Sequence, residues 1–138
     1  MFANPDAAAI EQLLREVKTI AMVGASPDPE RPSNHVALSL QSLGYRVVPV
    51  RPGVDSLFGE KAYASLRDIP FPVDVVDVFR VPAAVGPIVD DAIAIGAPRL
   101  WLQEGVVNEV EALRAQSAGM QVVMDRCMWR EARHLFRV

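Results

Sequence analysis

The chain has 138 residues, 51% of them apolar, and a formal net charge of −3. That length houses one hydrophobic core rather than two, and the composition is that of a folded chain. The negative balance excludes a broad basic surface for nucleic acid, no apolar run nears the roughly 20 residues that cross a bilayer, and one cysteine with two histidines offers neither an internal disulfide nor metal-ligand spacing.

The N-terminal stretch MFANPDAAAI has no basic start and no long apolar core, so it does not read as a secretory signal, and a cytoplasmic protein is expected. The first predicted helix spans 6–17, with Asp6 as its N-cap and Ile10, Leu13, Leu14 and Val17 at helical spacing. The run TIAMV, Thr19 to Val23, is short, apolar and closed by Gly24, the pattern of a strand buried on both faces. A second helix follows, with Ser33 as its expected cap, Val36, Leu40 and Leu43 on one face, and Gly44 as its stop. RVVPV, Arg46 to Val50, is the second strand, and Pro49 argues for an edge position because it removes a ladder donor.

A connecting stretch carrying Gly53 and Gly59 leads to VDVVDV, Val73 to Val78, the third strand. Its Asp74 and Asp77 are three residues apart and so point to opposite faces. Asp77, nearer the strand's end, is expected to form a structural ion pair with Arg80 or Arg126. A helix opened by Pro82 places Val85, Ile88, Val89, Ala92 and Ile93 along one stripe and ends at Gly96. RLWL, Arg99 to Leu102, and QVVM, Gln121 to Met124, are the fourth and fifth strands. The helix between them covers about 108–118, with Glu109 and Glu111 at its positive end. The remaining tail, 128–138, reads as an amphipathic helix expected to pack back on the domain, with a second copy of the chain as the alternative partner.

Unbroken strand–helix alternation predicts a single α/β domain: a doubly wound, Rossmann-like parallel sheet of five strands with helices on both faces and a core over 19–127. In such folds the ligand lies beyond the carboxyl ends of the strands. Arg31, Arg51, Arg80 and Arg126 each follow a strand there, so four guanidinium groups are expected on one rim. Their planar donor forks match phosphate oxygens, and Ser33 stands at a helix N-terminus that favours anions. The dinucleotide signature G-x-G-x-x-G is absent, since Gly24 is followed by Ala25, Ser26, Pro27, Asp28 and Pro29. Arg51 also stands where an NAD site would carry an acid. An arginine there suits a ribose phosphate, which leaves NADP and coenzyme A (CoA) as candidates.

The blocks VGASPDPERPS, VVPVRP, PVDVVDVFR, WLQEGVVNE and VVMDRC, taken in that order, resemble the small CoA-binding proteins related to the N-terminal domain of the succinyl-CoA synthetase alpha subunit. The resemblance runs from about Thr19 to Cys127. It implies Gly24, Ala25, Ser26, Arg31 and Ser33 near the diphosphate and Pro52 against the adenine. Phe79 and Arg80 would flank the nucleotide, with Gln103, Gly105 and Cys127 toward the pantetheine arm. Arg51 departs from the family, where an asparagine is expected. The phosphohistidine of the synthetase belongs to a further domain, so no ligase activity follows.

The leading expectation is therefore a non-catalytic module, carrier or sensor for CoA or an acyl-CoA, partnered by a homodimer mate or an acyl-CoA enzyme. The alternatives are a minimal NADP-dependent oxidoreductase and an interaction protein that has lost its ligand. Cys127 reads as a small buried residue rather than a nucleophile, with a mixed disulfide to CoA as a separate option. Three prolines, Pro27, Pro29 and Pro32, stiffen the first loop and so limit the entropy lost on closing around phosphate.

Overall fold

The computed structural model describes residues 1–136. Its elements in chain order are α1 (Ala7–Glu16), β1 (Thr19–Val23), α2 (Pro32–Ser42), β2 (Arg46–Val50), β3 (Ser56–Leu57), β4 (Glu60–Lys61), β5 (Val75–Val78), α3 (Val85–Ala94), β6 (Arg99–Leu102), α4 (Glu109–Ser117), β7 (Gln121–Met124) and α5 (Met128–Phe136). Five parallel strands form one sheet in the order β2-β1-β5-β6-β7. The chain steps from β1 outward to β2 and then returns to the other side of β1, so strand order reverses between β1 and β5. This is the point at which doubly wound sheets leave a crevice.

Alternation along each strand builds two cores. Ala21, Val23, Val76, Val78, Leu100 and Leu102 pack against α3 and α4, while Ile20, Met22, Val75, Trp101 and Val123 pack against α1, α2 and α5. Both faces are buried, which is why the strands are apolar throughout instead of alternating with polar residues. The single Rossmann-like α/β domain has the expected strands and major helices. No helix among the described residues is long and apolar enough to cross a membrane.

Local chemistry sets the element ends. Asp6 caps α1 by accepting from the Ala9 amide at 2.9 Å, and Asn108 caps α4 through the Glu111 amide at 3.1 Å. The stripe on α3 is narrower than the sequence implied. Pro82–Ala84 form a separate 3₁₀ turn, and Ile93 is exposed while Val85, Val89 and Ala92 are fully buried. The connecting stretch holds the β3–β4 hairpin, whose turn at Phe58 and Gly59 takes positive φ at both residues, as a type I′ turn requires. The tail helix α5 packs in cis: His35 on α2 meets Trp129 edge-on at 5.5 Å, and Tyr45 meets Phe136 at 6.1 Å. Residues 137 and 138 of the predicted tail lie outside the described residues.

Both sheet edges are occupied. β2 is an edge strand, as Pro49 implied, and Tyr63 bridges its outer side by donating to the Pro49 carbonyl at 3.0 Å and accepting from the Arg51 amide at 2.8 Å. At the opposite edge the Asn4 carboxamide grips Met124, accepting from its amide at 2.8 Å and donating to its carbonyl at 2.9 Å.

The expected ion pair of Asp77 does not exist. β5 runs between β1 and β6, and register places Asp77 between Met22 and Trp101 on the face covered by α2 and α5. The carboxyl is fully buried, neither oxygen has a hydrogen-bond partner, and desolvation pushes it up to about 8. Asp74, by contrast, sits before the strand and accepts from the amides of Lys18 and Thr19, both at 2.9 Å.

Two outcomes follow from these positions. A Cβ on Gly24 (φ +88°) would lie 2.3 Å from the Phe79 carbonyl oxygen, whereas one on Gly44 (φ +102°) would meet nothing. Chemical denaturation should therefore show Gly24→Ala losing roughly 2–3 kcal/mol or more and Gly44→Ala only about 1 kcal/mol. Asp77 keeps its proton in the folded chain but releases it near pH 4 when unfolded. Its favourable contribution is complete below that value and disappears as pH rises through about 8. Asp77→Asn should thus remove a slope of up to about 1.4 kcal/mol per pH unit across that window, measured as unfolding midpoints at several pH values.

Candidate functional site

The loop after β1 is built around Asp28. Its amide donates to Ser26 Oγ at 3.1 Å, its Oδ1 accepts from the Glu30 amide at 2.9 Å, and its carbonyl accepts from the Arg31 amide at 3.0 Å. Pro27 and Pro29 fill positions between these bonds where no backbone donor is needed. Buried Asn34 then ties the loop to α2 by donating to the Ser26 carbonyl at 2.9 Å. Sequence reasoning passed over Asn34, although an asparagine two residues into a helix start is a recognised loop-binding type.

Ser33 is not the cap of α2. Pro32 takes the first helical position, so the helix begins two residues earlier than expected and Arg31 is the N-cap, without a side-chain hydrogen bond to the helix. With no serine or aspartate oxygen covering it, the positive end of α2 stays open beside Ser33.

A cleft of about 920 Å³ opens at the carboxyl ends of the strands. Gly24, Ser26, Arg31 and Ser33 come from the β1–α2 connection, Arg51 and Pro52 from the end of β2, Phe79 and Arg80 from the end of β5, and Gln103 from the end of β6. The predicted residues Ala25, Gly105, Arg126 and Cys127 are not on this wall. Ala25 is fully buried, although its carbonyl accepts from Arg51 Nη1 at 3.1 Å. The Gly105 amide is taken by Asp125 Oδ1 at 2.8 Å. Cys127 is buried in the core beneath α1, α2 and α5.

Arg126 is the main departure. Asp125 takes a left-handed conformation (φ +61°) that turns the chain out of β7. Arg126 consequently lines a different hollow between α1 and α5, facing Glu131 at 3.7 Å. Three of the four predicted arginines share the cleft. The segment Ala64–Leu66, with Ile88 and Asp91, completes the wall. It was not anticipated because it reaches the site only through the Tyr63 bridge to β2.

The charge pattern separates the cleft from the rest of the surface. Arg15, Arg46, Arg67, Arg99, Arg114, Arg126 and Arg130 each face a carboxylate within 4 Å. Among the described residues, Arg31, Arg51 and Arg80 have no such partner, and neither has Arg133, which lies outside the cleft over the Trp129 ring. The cleft acids are already engaged: Asp91 holds Arg67 at 2.6 Å, Glu104 holds Arg130 at 2.7 Å, and Asp28 closes its own loop. Unneutralised guanidinium groups and an open helix N-terminus thus converge on one concavity, an arrangement suited to a ligand with several anionic oxygens. The residues fit the phosphates of a nucleotide cofactor, and no group of acidic, histidine or cysteine ligands for a metal occurs among the described residues.

Comparison with known proteins agrees with this geometry. An uncharacterized protein of Bacillus subtilis, YneT, is 38% identical over 125 residues, which cover 91% of this chain and 93% of that one. A solved structure of a hypothetical protein from Pyrococcus horikoshii OT3 superposes with a TM-score of 0.92 at 37% identity, covering 99% and 98% of the two chains. An ADP-forming acetate–CoA ligase of Archaeoglobus fulgidus is 34% identical over 72 residues, 51% of this chain but 10% of that enzyme. The family model described as a CoA binding domain matches residues 18–133. Sequence, fold and cleft therefore lead to one assignment: this chain belongs to the CoA-binding domain family.

Proposed function

We propose that the protein binds coenzyme A, free or acylated, in the cleft at the β1–β5 switch point, as a carrier or sensor without chemistry of its own. The observation that carries this reading is the contrast among arginines: the three at the cleft lack carboxylate partners, while seven elsewhere are paired and Arg133 lies over the Trp129 ring. CoA offers a diphosphate and a ribose phosphate to such a set. The open end of α2, with Ser33 and Arg31, suits the diphosphate. Arg51, at the end of β2, suits the ribose phosphate, with Pro52 against the adenine. Arg51 is already oriented by the Ala25 carbonyl, which reduces the ordering cost of contact.

A binding role is supported by what surrounds the cleft. Its acids already have partners, Asp91 in Arg67, Glu104 in Arg130 and Asp28 in its own loop, which favours a binding role. His35 packs against Trp129, His134 lines the hollow between α1 and α5, and Cys127 lies in the core.

Titration calorimetry tests the reading. CoA should bind more tightly than dephospho-CoA and than NADP, and the affinity should fall as salt rises. Arg31→Ala and Arg80→Ala should each weaken CoA by about tenfold or more, since each removes a charge-assisted contact. Arg51→Ala should erase the difference between CoA and dephospho-CoA. Arg46→Ala, which breaks an ion pair at the far end of β2, should leave affinity unchanged. A folded protein that gives no heat with millimolar CoA overturns the proposal, and tighter binding of NADP would favour the oxidoreductase reading.

A further inference from the structure

Asp77 and Gln103 share an anomaly. Among the described residues, the buried side-chain oxygens or nitrogens without a hydrogen-bond partner are both oxygens of Asp77 and Oε1 of Gln103. A buried acceptor left unmatched is costly, and a buried carboxylate more so, and their coincidence in one small region needs a physical account.

Register supplies it. Asp77 on β5 lies opposite Trp101 on β6, and Gln103 is two residues beyond Trp101. The ladder continues that far, because the Gln103 amide donates to the Val78 carbonyl at 3.2 Å. Two residues along a strand restores the same face, so Gln103 and Asp77 stand on one side of the sheet as diagonal neighbours. Diagonal pairs on adjacent strands are about 7–8 Å apart at the backbone, within reach of side chains of this length. The nearest indole cannot serve either group, since Trp101 Nε1 donates to the Arg126 carbonyl at 2.8 Å. Gln103 also lines the cleft, yet its Oε1 is shielded from solvent. Its carboxamide is therefore turned with the oxygen inward and the nitrogen toward the cavity.

We propose that Asp77 carries a proton and donates it to Gln103 Oε1, making Asp77 a positioning residue that fixes the Gln103 amide with its N–H groups facing the ligand. One proton resolves the anomaly on both side chains: the carboxyl becomes neutral and a donor, and the carboxamide oxygen gains the donor it lacks. Desolvation favours the neutral form in this setting. A fixed N–H pair in the cleft recognises a carbonyl oxygen, of which CoA's amide arm and its thioesters offer several. This second step rests on the CoA reading above; the Asp77–Gln103 bond does not.

Two measurements separate those parts. Infrared difference spectroscopy of the unliganded protein at neutral pH should show the carbonyl band of a protonated carboxyl that vanishes in Asp77→Asn. The band should move to higher frequency in Gln103→Leu, as a carboxyl losing a hydrogen bond does. A missing band, or one that Gln103→Leu leaves in place, overturns the pairing whether or not CoA binds. In calorimetry with CoA, Asp77→Leu should weaken binding by about tenfold, the worth of one oriented neutral hydrogen bond. Asp77→Asn, which keeps an N–H donor toward Gln103, should recover most of that loss. The double variant Asp77→Leu/Gln103→Leu should bind no more weakly than Gln103→Leu alone. Additive losses, or an Asp77→Leu protein that is folded by circular dichroism and binds normally, overturn the positioning role. If the wild type shows the band but no heat with CoA, the ligand assignment falls and the hydrogen bond stands.

Discussion

The close approach of two loops at the centre of the sheet governs this molecule. Gly24 leaves β1 in a conformation that L side chains avoid and lies so near the Phe79 carbonyl that no side chain fits between them. The loops after β1 and β5 are thereby held against each other, with the Gly24 amide donating to Val50 at 3.1 Å and the Phe79 amide to Val23 at 2.8 Å. This contact joins β2, β1 and β5 at their carboxyl ends and fixes the floor from which Arg31, Arg51 and Arg80 rise. A single glycine, rather than a glycine-rich loop, is sufficient here because the rest of the turn is shaped by prolines and by the hydrogen bonds of Asp28.

From that floor the electrostatics follow. The chain is acidic overall, and most of its arginines are used in surface pairs, which contribute little stability each and keep the exterior neutral. At the cleft the pairing rule is suspended. Asp91 and Glu104 are turned to other arginines, Asp28 is engaged in its own loop, and α2 starts on Pro32 without a capping side chain. Leaving donors unmatched costs stability, and proteins tolerate that cost where a ligand completes the set. The buried Asp77 carries a similar cost one strand layer inward, where its proton, rather than a counter-charge, makes burial tolerable.

Most of the fold was legible because the sheet is buried on both faces. TIAMV, VVDV, RLWL and QVVM are uninterrupted apolar or nearly apolar runs, each separated by a helix with a glycine stop, and few other architectures accept that rhythm. Pro49 announced the edge of the sheet, and Asp6 the start of α1. The β3–β4 hairpin was hidden because its strands are two residues each and carry Ser56, Glu60 and Lys61, with no alternation to detect. The cleft was partly legible. The structure brings Arg31, Arg51, Arg80 and Gln103 to the cleft, as their places in the segments after the strands implied, but chain order cannot register a left-handed residue such as Asp125, after which Arg126 and Cys127 lie off the cleft wall. Alternation assigned Asp77 to a face, yet it could not reveal that no cation pairs with its carboxyl. The cap of α2 was misplaced for a local reason: a serine after a proline looks like a cap, whereas the proline had already begun the helix.

The treatment of the sheet's borders limits how this protein can associate. On the β2 side, a proline and the Tyr63 main chain take up the C-terminal hydrogen-bonding positions that a foreign strand would need; on the β7 side, the Asn4 amide mimics a strand at Met124. Sheet extension between molecules is disfavoured at these positions. The borders of the sheet are thus a poorer route to association than its helices or its ligand-side loops.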